Sequence, residues 1–232
     1  MKSNDTFSVN PGETLENLGD GYHIIQGENE FKFGTDAVKL VDFTNVKPGE
    51  TVMDLCTGTG IIPILLHKKE PKLTISALEL QPQVAEMAQR SVKLNNLTDE
   101  INITNNDVRL VRDLFLAESF QVVTCNPPYM KVDTGKQNQN QTVTMARHEV
   151  CCNLEDCIAA ASYLLPSGGR FYMVHRPERM VDIISLMRSY RVEPKRLSII
   201  CSNGNPPRML VIEGQKNRNS GLIVQIDTGE KE

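Results

Sequence analysis

The sequence predicts an α/β protein: a mostly parallel β-sheet with helices on both faces and an antiparallel hairpin near its C-terminal end. Three observations carry this. From residue 51 onward short apolar runs alternate with longer amphipathic ones, the pattern of strand–helix–strand units. Strands joined through helices of that length are linked by right-handed crossovers and run parallel. The runs at 194–202 and 208–216 are separated only by Asn203-Gly204-Asn205-Pro206-Pro207, too short for a crossover helix, so they must be antiparallel neighbours.

Taken in order, residues 1–19 are polar, contain Pro11 and read as a loose lead-in. "YHIIQ" (22–26) and "EFKF" (30–33) read as a short hairpin around Gly27, and "TDAVKLVDFT" (35–44) as a helix capped by Thr35 or Asp36. Lys47-Pro48-Gly49 then breaks the chain. Residues 1–45 are therefore expected to be an N-terminal extension packed on a domain spanning 46–232. Within that domain "TVMDLC" (51–56), "LTISALEL" (73–80), "INITNND" (101–107) and "SFQVVTCN" (119–126) are strands. The intervening "IIPILLHKK" (61–69) and "PQVAEMAQRSVKLNN" (82–96) are helices, the second opened by Pro82. "LEDCIAAASYLL" (154–165) is a helix closed by Pro166 and Gly168-Gly169, "RFYMVHR" (170–176) a strand, and "PERMVDIISLMRSY" (177–190) a helix started by Pro177. "LIVQID" (222–227) can add an edge strand after the terminal hairpin.

Composition bounds the class. With 40% apolar and 23% charged residues in 232, the chain is an ordinary globular protein, long enough for one large domain or one domain with a small appendage. It has no run of 18 apolar residues to span a membrane, and Met1-Lys2-Ser3-Asn4-Asp5 lacks a signal-peptide core, so the cytoplasm is expected. Six cysteines form no Cys-x-x-Cys pair, and His148 stands at no zinc-like spacing from them. They read as small hydrophobes with no metal. The net charge of −4 hides an asymmetry: residues 170–220 carry ten Lys/Arg against four Asp/Glu. This is either a solvated surface or a basic face for a polyanion.

In an open α/β sheet, ligands bind beyond the carboxyl ends of the strands. The first strand of the domain ends in Asp54-Leu55-Cys56-Thr57-Gly58-Thr59-Gly60, whose glycines permit a tight turn and a close ligand at a helix start. Glu79, about 20 residues beyond the turn, stands where dinucleotide-type folds place a ribose-binding acid. The third strand ends in Asn106-Asp107. Each acid alone could be a cap or a surface charge. Together they form a carboxylate rim suited to ribose hydroxyls and positive charge, and unsuited to pyrophosphate. The fourth strand ends in Asn126-Pro127-Pro128-Tyr129, where two prolines cannot continue a ladder and stiffen the corner.

The glycine turn, the acidic strand ends and Asn-Pro-Pro-Tyr together resemble the class I S-adenosylmethionine-dependent methyltransferases, over roughly residues 50–215. One departure is Cys56, where that turn usually has glycine. The resemblance implies a Rossmann-like, seven-stranded, mostly parallel sheet with a C-terminal antiparallel hairpin, and S-adenosyl-L-methionine as cofactor. It also implies methylation of a planar NH2 nitrogen. Asn126 and Pro127 would each accept one N–H through a carbonyl, leaving the nitrogen lone pair aimed at the donor methyl, while Tyr129 stacks on the base. By the same resemblance Phe33, Thr35, Asp36, Asp54, Thr57, Gly58, Gly60, Glu79, Leu80, Asp107, Val108 and Asn126 would bind the cofactor.

The substrate rests on the flanks. "FKFGTDAVKL" (31–40), "ARHE" (146–149), "HRPERMVDI" (175–183) and "EPKRLSII" (193–200) with "MLVIEGQK" (209–216) look like bacterial tRNA adenine-N6 methyltransferases. These act next to the anticodon of a valine tRNA. The resemblance makes tRNA, through its anticodon loop, the expected partner. A glutamine amide of a translation factor, a base in DNA or ribosomal RNA, and a non-catalytic role remain alternatives, and the oligomeric state stays open. Pro128, Arg147, His148, Arg176, Arg179 and Arg196 are the candidates for contacting substrate, with Arg191, Lys195, Arg208 and Lys216 adding basic charge. His148 is either a base or a loop-fixing residue. The polar segment 131–145 reads as a loop that orders on RNA, or as a surface insertion.

Overall fold

The computed structural model describes residues 9–28, 34–128, 152–201 and 206–228. Phe33, Tyr129, Arg147, His148, Glu149 and the segment 131–145 lie outside the described residues.

Two strands, β1 (Glu13–Gly19) and β2 (Tyr22–Gly27), form an antiparallel hairpin. This corrects one expectation, since part of the presumed lead-in is a strand and pairs with β2; the segment 30–33, expected to pair with it, lies outside the described residues. The tight reversal at Asp20-Gly21 takes two positive-φ residues, 54° and 83°, as such hairpin turns require. β2 docks on helix α3 (Pro82–Leu94) through side chains that satisfy its free edge. The Ile25 N–H donates to Ser91 Oγ at 3.0 Å, and the His23 N–H to Asn95 Oδ1 at 2.8 Å.

The main sheet has eight strands: β3 (Thr51–Leu55), β4 (Thr74–Glu79), β5 (Ile101–Asn105), β6 (Val122–Cys125), β7 (Arg170–His175), β8 (Val192–Ile200), β9 (Met209–Lys216) and β10 (Ile223–Asp227). Their order is β10-β8-β9-β7-β6-β3-β4-β5. β3 to β7 are parallel, and β9 runs antiparallel between β7 and β8. β10, the edge strand that the sequence allowed at 222–227, adds in parallel outside β8, so the described residues give the sheet an eighth strand beyond the seven expected.

Helices α1 (Thr35–Phe43), α2 (Ile61–Lys69) and α3 bury Leu40, Ile62, Ile64 and Ala88 with Val52, Ile75 and Val122 on one face of the sheet. On the other face α4 (Val111–Leu114), α5 (Leu154–Leu164) and α6 (Met180–Ser189) pack Ile158, Leu164 and Ile183 against Met53, Val123 and Phe171. A parallel strand covered on both sides must be apolar throughout, which is why β3 and β6 read as nearly continuous hydrophobic runs. The cap of α1 is Gly34, with no side-chain hydrogen bond, rather than Thr35 or Asp36. Helix α5 has a full capping box between Asn153 and Asp156. Among the described residues no helix is long and apolar enough to cross a membrane.

The N-terminal hairpin is fastened by Arg90 of α3, whose guanidinium grips Glu13 of β1, with one arm at 2.9 Å. Arg90 and its hydrogen bonds hold the Glu13 carboxyl below its ordinary value. A depressed acid contributes stability above its unfolded pKa and loses it as the pH falls through the native one. Glu13→Gln is thus expected to cost about 1–3 kcal/mol at neutral pH. Thermal melts of the two proteins should converge as the pH drops below the glutamate range, and a constant gap down to acid pH would contradict this pairing.

Candidate active site

The chain leaves β3 for β4 and β5 on one side of the sheet and crosses to β6 on the other. The topological switch therefore lies between β3 and β6, and a crevice opens beyond their carboxyl ends. Asp54 stands opposite Thr124 and Leu55 opposite Cys125. Cys56 and Asn126 thus begin two loops from adjacent strands at one level.

The loop after β3 turns through left-handed backbone at Cys56 (φ 59°), Gly58 (φ 59°) and Gly60 (φ 87°). It is pinned by backbone: the Thr57 N–H donates to Leu78 O at 2.9 Å, and the Gly60 N–H to Thr57 O at 3.1 Å. A Cβ on Gly60 would sit 3.4 Å from Ala88, so that glycine serves helix packing. Among the described residues, a Cβ on Gly58 would meet nothing within 4 Å. Gly58 thus faces open space, where a ligand can approach the turn.

Asp54 is wholly buried beneath this turn. Thr124 Oγ1 donates to its Oδ1 at 2.6 Å, while Oδ2 and the buried Thr57 Oγ1 have no hydrogen-bond partner among the described residues. Burial pushes the Asp54 carboxyl up to about 7; the Thr124 and Thr57 hydroxyls oppose this, and the charge of Glu79 adds to it. Thr57 is near enough to favour the carboxylate without closing a bond to it. A donor or positive charge entering here would satisfy these two atoms and draw Asp54 into its ionised form.

Glu79, also buried, accepts the Gly58 N–H on Oε2 and the Gln81 N–H on Oε1, each at 2.9 Å. It braces the glycine turn from the end of the neighbouring strand. Half-buried Leu80 follows, its carbonyl held by Asn105 Nδ2 at 2.9 Å. Asp107 accepts the Arg109 N–H at 2.9 Å and pairs with its guanidinium, which holds its carboxyl below the usual range. Val108 is buried beside it. Asp54, Glu79 and Asp107 thus end three adjacent strands as the sequence suggested.

Beyond β6, Asn126 is half-buried, Pro127 buried and Pro128 half-buried. Cys125 is in register with Met173, so His175 of β7 reaches the level of Pro127. Reading the sequence passed over His175 in favour of His148. Its signal was its position at a parallel strand's carboxyl end. Burial, with the charges of Arg179 and Arg176, pushes its pKa down to about 4, and its Nδ1 accepts the Arg176 N–H at 2.8 Å. It is a neutral imidazole at the rim.

Part of the basic cluster is taken up by partners within the fold, while Arg176, Arg188, Arg191, Arg208 and Arg218 stay exposed. Arg196 lies mid-strand on β8, bound to buried Glu213, to the Phe43 carbonyl at 3.0 Å and over the Phe43 ring at 4.3 Å. It is a cross-link between α1 and the sheet, which corrects its expected place among the substrate contacts. Lys216 donates to Ser162 and Tyr190, Lys195 to the Asn219 carbonyl, and Arg188 pairs with Glu193. Arg179 pairs with Asp182 at 2.7 Å, and the Arg176 guanidinium reaches the Arg208 carbonyl at 3.4 Å. Thr35 is exposed and Asp36 half-buried in the first turn of α1.

A glycine turn with open space, unsatisfied Asp54 and Thr57 atoms, and a carboxylate rim make a donor set for a hydroxyl-rich, positively charged nucleoside. Gly58→Ala is expected to leave the chain folded at a cost of about 1–2 kcal/mol for left-handed alanine. It should also weaken nucleoside binding by filling the open side of the turn. Unchanged affinity by calorimetry in a folded variant would count against this placement.

The model of the methyltransferase small domain family matches residues 27–191. Two curated relatives are called tRNA1(Val) (adenine(37)-N6)-methyltransferase. The protein from Porphyromonas gingivalis is 29% identical over 173 residues, 72% of this chain and 67% of that one. The protein from Histophilus somni is 28% identical over 210 residues, 88% of this chain and 86% of that one. Two solved structures share the fold. A predicted O-methyltransferase from Agrobacterium tumefaciens superposes with a TM-score of 0.67 at 22% identity, covering 83% of this chain and 86% of that one. A geranyl diphosphate C-methyltransferase from Streptomyces coelicolor, solved with S-adenosyl-L-homocysteine, gives 0.57 at 13% identity, covering 78% and 80%. With a family model matching most of its length, and with a glycine turn and acidic strand ends converging at the sheet's switch point, this chain belongs to the methyltransferase small domain family.

Proposed function

We propose that the protein transfers a methyl group from S-adenosyl-L-methionine to N6 of an adenine in tRNA, at position 37 beside the anticodon of a valine tRNA. It would do so in the cytoplasm, where that substrate is found. The observation that carries the reading is the register that sets Asn126-Pro127 beside the glycine turn at the sheet's switch point. The two relatives' names agree with it.

When bound, S-adenosyl-L-methionine supplies an electrophilic methyl group on a sulfonium. In this reading Glu79 takes the ribose hydroxyls, and Gly58 and Gly60 let the backbone come close. Thr57 and Asp54 complement the polar, positively charged end. Leu80, Asp107 and Val108 line the adenine end, and Phe33, Thr35 and Asp36 close over the site.

The chain's own task is to present the acceptor nitrogen. An adenine amine is a weak nucleophile because its lone pair is delocalised into the ring. If the Asn126 side-chain carbonyl and the Pro127 backbone carbonyl each accept one N–H, the nitrogen can pyramidalise and its lone pair is left free to attack. Pro127 and Pro128 remove backbone freedom from that corner, so the acceptors need no reorganisation as charge develops. The proton released from the methylated nitrogen is acidic and needs no strong base. Tyr129 stacks on the base, while Pro128, Arg147, His148, Arg176 and Arg179 serve the surrounding nucleotide.

Asn126→Ala should lower the methylation rate by roughly 10²–10³-fold, the scale for one preorganised polar group, with cofactor affinity little changed. Label from S-adenosylmethionine should enter total tRNA and be recovered as N6-methyladenosine. Label recovered instead in DNA or ribosomal proteins, or full activity of the variant, would sink this reading.

A further inference from the structure

Four of the six cysteines converge on the sheet face opposite Asp54. The sulfurs of Cys56, Cys125 and Cys157 lie within 4.8 Å of one another. Cys152 Sγ is 3.2 Å from that of Cys56 and 3.4 Å from that of Cys157. The four come from three places in the chain: the glycine turn, the last residue of β6, and the start of α5. Four thiolates around zinc at ~2.3 Å sit at the corners of a tetrahedron with edges of ~3.8 Å. The two closest sulfur spacings are slightly shorter than that edge, and the Cys56, Cys125 and Cys157 sulfurs all lie within 4.8 Å of one another, so side-chain rotation has to open the cluster around an ion and bring Cys152 to the fourth corner.

Ordinary packing explains part of this cluster and leaves part unexplained. Cys152 and Cys157 occupy the positions before the cap and in the first turn of α5 where a hydrophobic staple belongs. Cys125 is a fully buried residue in an apolar strand. Cys56 is different. Its φ of 59° is left-handed, where a Cβ costs about 1–2 kcal/mol relative to glycine. It is also the least buried of the four, half-buried where Cys125, Cys152 and Cys157 are buried. A thiol kept on strained backbone, at the least buried point of the cluster, is what a ligand requires and packing does not.

Two nearby features favour negative charge. The capped N-terminus of α5 begins between Cys152 and Cys157, and such ends favour negative charge. Arg109, held by Asp107, lies near enough to Cys152 to interact with it electrostatically.

We propose that Cys56, Cys125, Cys152 and Cys157 form a site for one thiophilic metal ion of the zinc(II) type, fastening the glycine turn to the end of β6 and the start of α5. Each thiol gives its proton to solvent as its sulfur bonds the ion, and no oxidant or reductant is involved. The ion sits on the α5 face, away from the methyl-transfer crevice, so its role is to fix the backbone that carries Asp54 and Asn126. The site does not depend on which substrate the protein methylates.

The test uses the whole chain, purified reduced and stripped with a chelator. Zinc titrated against a chromophoric competitor should bind at one equivalent. Cobalt(II) in its place should give sulfur-to-metal charge transfer and the intense visible bands of a tetrahedral thiolate site. Cys157→Ser should weaken zinc binding beyond the roughly 10–100-fold that loss of an outer-sphere partner costs. Cys201→Ser, at a cysteine outside the cluster, should leave it unchanged. Substoichiometric zinc with a pale, six-coordinate cobalt spectrum would overturn the proposal on the wild-type chain alone, whether or not a variant folds. So would a reduced protein that ignores zinc but forms a Cys56–Cys152 disulfide with peroxide, since the cluster would then be a redox pair.

Discussion

The register between β3 and β6 is the constraint on which the site depends. These strands are neighbours in space but separated by two strands and three crossovers in sequence, and they lie where the sheet reverses its direction of growth. The hydrogen bond from Thr124 to the fully buried Asp54 ties them one residue before each ends. Side chains alternate faces along a strand, so a one-residue slip would turn Asp54 into the α5 core and carry Asn126 away from the glycine turn. The ladder is short, only four residue pairs. Its fidelity comes from the packing of Val52 and Val122 on one side against Met53 and Val123 on the other. A buried hydrogen bond to a carboxylate adds specificity, because any other register leaves that carboxylate stranded.

The rim shows how such a site is held ready for its ligand. Glu79 spends both oxygens on backbone N–H groups of its own and the neighbouring loop, and Asp107 is neutralised by Arg109. These bonds keep two carboxylates at strand ends without mutual repulsion opening the loops. A nucleoside must therefore displace or share existing bonds at Glu79, whereas at Asp54 and Thr57 it finds atoms with none. The differential gain is largest at that unsatisfied end, where hydroxyl and carboxylate await a partner.

How much of this the sequence carries differs from one element to another. The central strands and helices were legible because burial imposes periodicities of two and 3.6, and Pro82 and Pro177 mark helix starts. The first hairpin was not, because "ETLENLG" is too polar to show a strand period. Its stability comes from Arg90, Ser91 and Asn95, contacts distant in sequence. Charge counting failed for a related reason. It counts Arg196 and Glu213 but not that they pair with each other, and it takes no account of Ser162, the neutral partner of Lys216. The acidic strand ends were found because the fold puts function at a fixed place, the end of each strand. The thiol cluster escaped because its members meet only through tertiary structure.

One physical thread joins the two faces of the switch point. Along β3 and into the turn, Asp54 points to the α2 face and Cys56 lies with the α5 core; along β6, Thr124 and Cys125 divide in the same way. Carboxylate and hydroxyl are thus paired on one side, and thiols gather on the other. Paired parallel strands must pair like faces, so residues at matching register share an environment. Asn126 then follows Cys125 at the point where the ladder stops and Pro127 has no N–H to extend it. The half-buried Asn126 therefore stands at the edge of the ladder, one residue beyond the pairing that fixes Cys125. An amide held between a paired strand end and a proline has little backbone freedom, which is the physical requirement for presenting a weak nucleophile.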